Sequence, residues 1–207
     1  KRWQKTRAHA QAQIVGYANE LLQLYAERAV RGGFPYPEDG EILTQFEQDF
    51  PYTETQDQVL AIEALKKDMT SNKPMDRLIC GDVGYGKTEV ALRTMAAALK
   101  SGYQSDLIAP TTILAHQHFQ NFKERLKDLP IKVALLSRLQ VKKEQKEIIE
   151  NLKQGKIDIL IGTHRVLSKD VEFQRLGLLV IDDEQRFGAR QKEKFKKMRA
   201  ALDVLSL

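Results

Sequence analysis

The sequence predicts an α/β domain: a mostly parallel β-sheet with helices on both faces, preceded by a helical segment. Three observations predict it. Short, nearly continuous apolar runs recur at residues 106–109, 131–136, 157–161 and 178–181, and strands covered on both faces are the ones that lose apolar–polar alternation. Stretches of helical period lie between those runs, the order that βαβ units impose. Finally, Gly81-Asp82-Val83-Gly84-Tyr85-Gly86-Lys87-Thr88 joins the apolar run Leu78-Ile79-Cys80 to an Ala- and Leu-rich stretch over 90–100. A glycine-rich turn between strand and helix is where backbone amides gather around phosphate.

Composition sets the outer limits. The 207 residues are 42% hydrophobic and 29% charged, ordinary for a globular chain of one domain with or without an appendage. No apolar run approaches bilayer length, and no signal-like core follows Lys1-Arg2-Trp3-Gln4-Lys5, so a cytoplasmic protein without membrane contact is expected. The single cysteine, Cys80, can form no internal disulfide and is expected as a small core residue in a reducing compartment. A formal net charge of +5 is compatible with nucleic acid without establishing it. The opening on Lys1 and the strand-like ending Val204-Leu205-Ser206-Leu207 suggest a piece of a longer protein.

Residues 6–30 read as a helix, with Ile14, Tyr17, Leu21, Leu24 and Tyr25 on one stripe and His9, Asn19, Gln23 and Glu27 on a wet face. Gly32-Gly33 ends it. One helix with one stripe needs a partner, either the body of this chain or a neighbouring segment. Phe34-Pro35-Tyr36-Pro37-Glu38-Asp39-Gly40 reads as a connector, and a short helix follows over 41–48. Residues 1–46 are thus expected as a helical linker, and 47–207 as the domain. Thr55 with Gln58 three residues on is a capping-box pattern for a helix whose apolar face is Val59, Leu60, Ile62 and Leu65. Gln58 has two possible roles: cap partner, or reader of an adenine edge with Phe50 or Tyr52 stacked on the ring. Helices are expected over 112–127 and 142–154, a short one near 163–168, and a basic one over 190–201 before a last strand.

The glycine loop predicts a nucleotide site. Its amides and the following helix end would hold phosphate, Lys87 would reach the β- and γ-phosphates, and the Thr88 hydroxyl would hold Mg²⁺. Such a loop needs an acid at the end of another buried strand, and Leu178-Leu179-Val180-Ile181-Asp182-Asp183-Glu184-Gln185 supplies one. Asp182 would bind Mg²⁺ through water, and Asp183 or Glu184 would polarise the attacking water. Three more strand ends are polar: Pro110-Thr111-Thr112, Leu136-Ser137-Arg138 and Gly162-Thr163-His164-Arg165. Each is most simply a helix cap, and together they could line up donors for a phosphodiester backbone. His9, His116, His118 and His164 have no paired metal-ligand spacing.

These residues together resemble the first motor domain of superfamily 2 helicases and translocases. More narrowly they resemble the bacterial transcription-repair coupling factors, with the RecG helicases as nearest relatives. The match runs from about Trp3 to the end. It is dense at Phe50-Pro51-Tyr52, at Thr55 and Asp57-Gln58, and over 75–91. It continues at Pro110-Thr111-Thr112-Ile113-Leu114-Ala115, Leu136-Ser137-Arg138, 161–165 and 182–188. The resemblance implies a RecA-like P-loop NTPase fold, with ATP and Mg²⁺ as cofactors. It implies that Gln58 belongs to an adenine-reading motif, with Phe50, Tyr52 and residues 81–89, Glu89 included, around the nucleotide. It implies that Lys87, Asp182, Asp183 and Gln185 are catalytic, Gln185 coupling the γ-phosphate to the next motif. It implies that Thr111, Thr112, Arg138, Thr163 and His164 face DNA. One position departs: the family usually carries Asp-Glu where this chain has Asp182-Asp183, which makes the second carboxylate one methylene shorter.

What the resemblance implies for function is an ATP-driven double-stranded DNA translocase that displaces stalled RNA polymerase at lesions and recruits nucleotide excision repair. The polymerase-binding module, the second motor domain and its arginine finger are expected outside this chain, so the chain alone is expected to turn over slowly. A RecG-like helicase acting on branched DNA shares every motor motif. A small-molecule P-loop kinase is the rival from another class.

Overall fold

The computed structural model describes the backbone of residues 2–33, 35–36, 41–82 and 84–207. Side chains of residues 2, 4, 5, 8, 17, 20, 31, 41–43 and 45 also lie outside the description. Tyr17 of the stripe, most of the connector and Val83 of the glycine loop fall there.

The elements in order are α1 (Arg2–Arg31), α2 (Glu41–Gln48), α3 (Gln56–Met69), β1 (Asp76–Leu78), α4 (Lys87–Lys100), β2 (Gln104–Ile108), α5 (Thr112–Arg125), β3 (Val133–Leu136), α6 (Lys142–Lys153), β4 (Ile159–Gly162), β5 (Leu176–Ile181), α7 (Ala189–Arg199) and β6 (Asp203–Ser206). A 3₁₀ turn (Glu184–Arg186) follows β5. The strands form one six-stranded sheet in the order β1-β6-β5-β2-β4-β3, every pairing parallel.

The chain runs out from β1 through β2 to β3, then returns through β4 and β5 to β6. Right-handed crossovers put outward connections on one face and returning ones on the other. The two core layers follow suit. Ile62 of α3, Met95 of α4 and Phe122 of α5 pack on Leu107, Ile161, Val180 and Leu205. Leu152 of α6 and Phe195 of α7 pack on Ile108, Leu160, Leu179, Ile181 and Val204. Along β5, residues 178 and 180 face the first layer, 179 and 181 the second. Period two therefore sends Asp182 toward α4 and α5.

Three expectations are corrected. The first strand is Asp76–Leu78, not 78–80, and Cys80 is exposed beyond it. It is an edge strand, paired on one side only, and needs no run of apolar residues. Residues 163–168 form successive i→i+3 turns rather than a helix, through Val166 N–H to Thr163 O, Leu167 N–H to His164 O and Ser168 N–H to Arg165 O. Helix α1 is long, but Ile14 and Tyr25 of its stripe are 67% and 61% exposed. Its C-terminal end is what docks: Arg28 is buried and donates from Nη2 to Pro74 O at 3.1 Å and Met75 O at 2.9 Å. Gly33 is required next to it, because a Cβ there would meet the Lys73 carbonyl carbon at 2.4 Å. Tyr36 completes the anchor, buried edge-on to Tyr103 at 6.0 Å and hydrogen-bonded to Asp203.

Candidate functional site

The glycine loop leaves the carboxyl end of β1. Gly84 and Gly86 have φ of 88° and 76°, a region costly for residues with a Cβ, and Gly86 caps α4. Lys87 and Thr88 therefore open α4, where backbone N–H groups have no intrahelical partner. The Lys87 ammonium curls back over the loop, donating to Gly81 O and to Asp82 O. Tyr85 is exposed.

Gln58 fills the capping role. Thr55 N–H donates to its Oε1 at 2.9 Å, and Thr55 Oγ1 accepts from the Gln58 N–H at 3.3 Å, closing the capping box. The other end of the amide, Nε2, donates to Tyr85 O of the glycine loop at 2.9 Å. One side chain thus ties the start of α3 to the phosphate loop.

Beside them lies a cleft of about 520 Å³, lined by Phe50, Tyr52, Thr55, Gln58, Gly84, Gly86, Thr88, Glu89, Phe122 and Arg125 among others. That volume suits a small ligand. Phe50 and Tyr52 meet edge to face at 5.6 Å. Two arginines, absent from the sequence-based site, brace Phe50: the guanidinium carbons of Arg93 and Arg125 sit 5.2 and 5.4 Å from its ring centre. Both are held by Glu89, through Arg93 Nε at 3.0 Å and Arg125 Nη2 at 2.8 Å. Arg93 also donates to Glu54 at 2.7 Å. Burial opposes the Arg93 charge, but the hydrogen bonds to Glu54 and Glu89 hold its pKa above the ordinary value. The Glu89 carboxylate is therefore committed to arginines, and Glu89 shapes the cleft through them.

The acidic strand end lies on the same edge of the sheet. Strand β6 separates β1 from β5, so the two loops leave strands about 10 Å apart, two inter-strand spacings. Asp182 is half-buried, with Oδ2 2.7 Å from His118 Nε2 on α5. Asp183 turns to the left-handed conformation, accepts from Gln185 Nε2 at 2.8 Å and pairs with Arg186. Glu184 is held by Arg199 at 2.6 Å. Among the described residues no three His, Cys, Asp or Glu side chains group to hold a metal unaided. Thr88 and Asp182 are hard oxygen donors on one edge, a set that fits Mg²⁺ sharing its shell with phosphate and water.

The remaining polar strand ends adjoin one another, because β2, β4 and β3 are neighbours. Thr111 Oγ1 accepts from Leu114 N–H and caps α5; Thr112 is half-buried. Arg138 is exposed, and burial together with the Arg138 charge lowers the His164 pKa. Thr163 is buried, 1% exposed, so its hydroxyl does not reach the surface. Gly162 before it admits Val166 and the Leu136 carbonyl to 2.4 and 2.6 Å of where a Cβ would stand.

Comparison with known proteins places this geometry. Residues 55–206 match the DEAD/DEAH box helicase family. The chain is 51% identical over 205 residues to the transcription-repair-coupling factor of Bacillus subtilis (strain 168), covering 99% of this chain and 17% of that protein. It is 50% identical over 207 residues to that of Borreliella burgdorferi, covering 100% of this chain and 18% of that one. The chain thus spans less than a fifth of these relatives. The structure of RecG bound to a three-way DNA junction superposes with a TM-score of 0.77 at 36% identity, over 89% of this chain and 25% of that one. A hypothetical ATP-dependent RNA helicase from Sulfolobus tokodaii shares the fold at a TM-score of 0.62 and 19% identity, over 82% of this chain and 50% of that one. With its glycine loop and acidic strand end on one edge of a parallel, RecA-like sheet, the chain belongs to the DEAD/DEAH box helicase family.

Proposed function

We propose that this chain is the ATP-binding half of a double-stranded DNA translocase motor of the transcription-repair coupling kind. Residues 47–207 are its first RecA-like domain and 1–46 its helical linker. The observation that carries it is the shared sheet edge: the phosphate loop and Asp182 occupy one part, and the polar ends of β2, β4 and β3 continue beside it. The nearly full-length similarity to coupling factors supports the narrower assignment. In the longer protein the displaced partner is a stalled RNA polymerase, bound by a module outside this chain, and nucleotide excision repair follows. No helix of the described residues is long and apolar enough to cross a membrane, and the site of action is the bacterial cytoplasm.

The adenine ring of ATP stacks against Phe50 and Tyr52, with Gln58 at its edge, and the loop amides take the phosphates. Lys87 exchanges the carbonyls of Gly81 and Asp82 for phosphate oxygens. Thr88 and Asp182 hold Mg²⁺, which when bound neutralises charge on the phosphates. Asp183 orients the attacking water, and Gln185 reports the γ-phosphate to the partner domain. Thr111, Thr112, Arg138 and His164 take the DNA backbone, which carries no sequence information.

The test is ATP hydrolysis by the longer protein with and without duplex DNA. Duplex is expected to stimulate it, and Lys87→Ala to abolish it. Hydrolysis indifferent to DNA overturns the translocase in favour of a small-molecule kinase. The likeness to RecG keeps a second reading: a preference for branched over linear duplex would decide for it. The chain alone should hydrolyse about 10³–10⁵-fold more slowly, the worth of an arginine finger supplied from elsewhere.

A further inference from the structure

Helix α5 turns three residues inward, and one of them is polar. Its buried positions are Ala115, His118 and Phe122, spaced three and four apart as one face of a helix requires. His118 is 7% exposed, and its Nδ1 is buried with no hydrogen-bond partner. Its Nε2 lies 2.7 Å from Asp182 Oδ2. A buried polar atom left unbonded costs about 1–3 kcal/mol, so an apolar ring would pack here more favourably. The hydrogen-bonding role of the ring is therefore its one contact, with Asp182.

The contact has a direction. An ionised carboxylate can only accept, so Nε2 carries the hydrogen of this contact. The ring is held edge-on to Phe122, centroids 6.4 Å apart and planes at 77°, and Phe122 in turn lines the nucleotide cleft. Bonding Oδ2 restrains rotation of the Asp182 carboxylate, whose remaining lone pairs stay open to a cation and its water.

We propose that His118 is a positioning residue: it sets the Asp182 carboxylate for Mg²⁺ and thereby makes nucleotide affinity depend on the cation. The proposal rests on Asp182 holding Mg²⁺, through water, as assigned above. A lone histidine within a helix gives no sequence signal for this role; its place on the inward stripe does.

The test is binding, not turnover. A fluorescent methylanthraniloyl ATP is titrated onto the wild-type chain in EDTA and at rising Mg²⁺. In His118→Ala, the Mg²⁺ concentration for half of the affinity gain should rise about 10–100-fold, the usual cost of losing a group that orients a metal ligand. Affinity in EDTA should not change. His118→Gln, which places an N–H donor where Nε2 was, should recover part of the loss. His118→Phe, which fills the space without a donor, should not, and it carries the test if the alanine variant fails to fold. His118→Phe tracking wild type at every Mg²⁺ concentration overturns the proposal. Wild-type binding that ignores Mg²⁺ overturns the assignment of Asp182 itself, and the proposal with it.

Discussion

Asp183 has φ 50° and ψ 50°, and among the described residues it is the one non-glycine with positive φ. Such a backbone costs an L-residue roughly 1–2 kcal/mol, and strain of this kind collects where function requires it. Its N–H continues the ladder to Leu207 O, while that of Asp182 donates to Ile108 O, so the two acids diverge from one strand end. Asp183→Gly should raise stability to denaturant by about 1 kcal/mol while abolishing DNA-stimulated hydrolysis in the longer protein. Retained hydrolysis would remove Asp183 from the water-orienting role. The acids themselves were legible in the sequence, since they follow an apolar run. The twist at Asp183 was not, because it depends on where the strand stops pairing. Gln58 shows a different gap: the sequence offered cap partner or adenine reader, and the structure shows the cap together with a tie to the glycine loop that neither reading anticipated.

At the scale of elements, the interior strands were the legible part. Their apolar runs reflect burial on both faces, and β2, β4 and β5 lie within a residue or two of where those runs stand. Long-range pairing was not legible. Glu89 meets Arg125 from 36 positions away, and no spacing rule anticipates that. Nor did the sequence reveal that β2 carries a carboxylate into the core. Asp106 is fully buried in that central strand, and neither of its carboxyl oxygens has a hydrogen-bond partner. Burial raises its pKa well above the carboxylate range. The folded chain thus binds the Asp106 proton more tightly than the unfolded one, and stability falls as pH climbs above about 4, the unfolded pKa, until the folded pKa is passed. Asp106→Val should be more stable by about 1–3 kcal/mol. Its advantage over wild type should be larger at pH 8 than at pH 5 in urea melts. An advantage that does not change with pH would mean the proton plays no part.

The whole molecule is unevenly supported. Its centre is two apolar layers pressed on β5, β2 and β4, whereas the phosphate loop hangs from β1, three residues paired on one side only. What steadies β1 sits at its foot: Arg28 on Pro74 and Met75, and Asp203 accepting from the Met75 N–H. Its other end, where the loop begins, is held on that same side by the Ile79 N–H donating to Ser206 O, and its outer side pairs with no strand. Amides of residues 76–79 should therefore exchange with solvent far sooner than those of β2 in the free chain. Saturating nucleotide should bring the two rates together, with about 2.7 kcal/mol of added stability at a hundredfold excess over Kd. Equal protection without nucleotide would contradict this. If it holds, ATP is a hem on a fraying margin: the fuel, while it stays, is also part of the fabric, and each release of product loosens the border that must catch the next molecule.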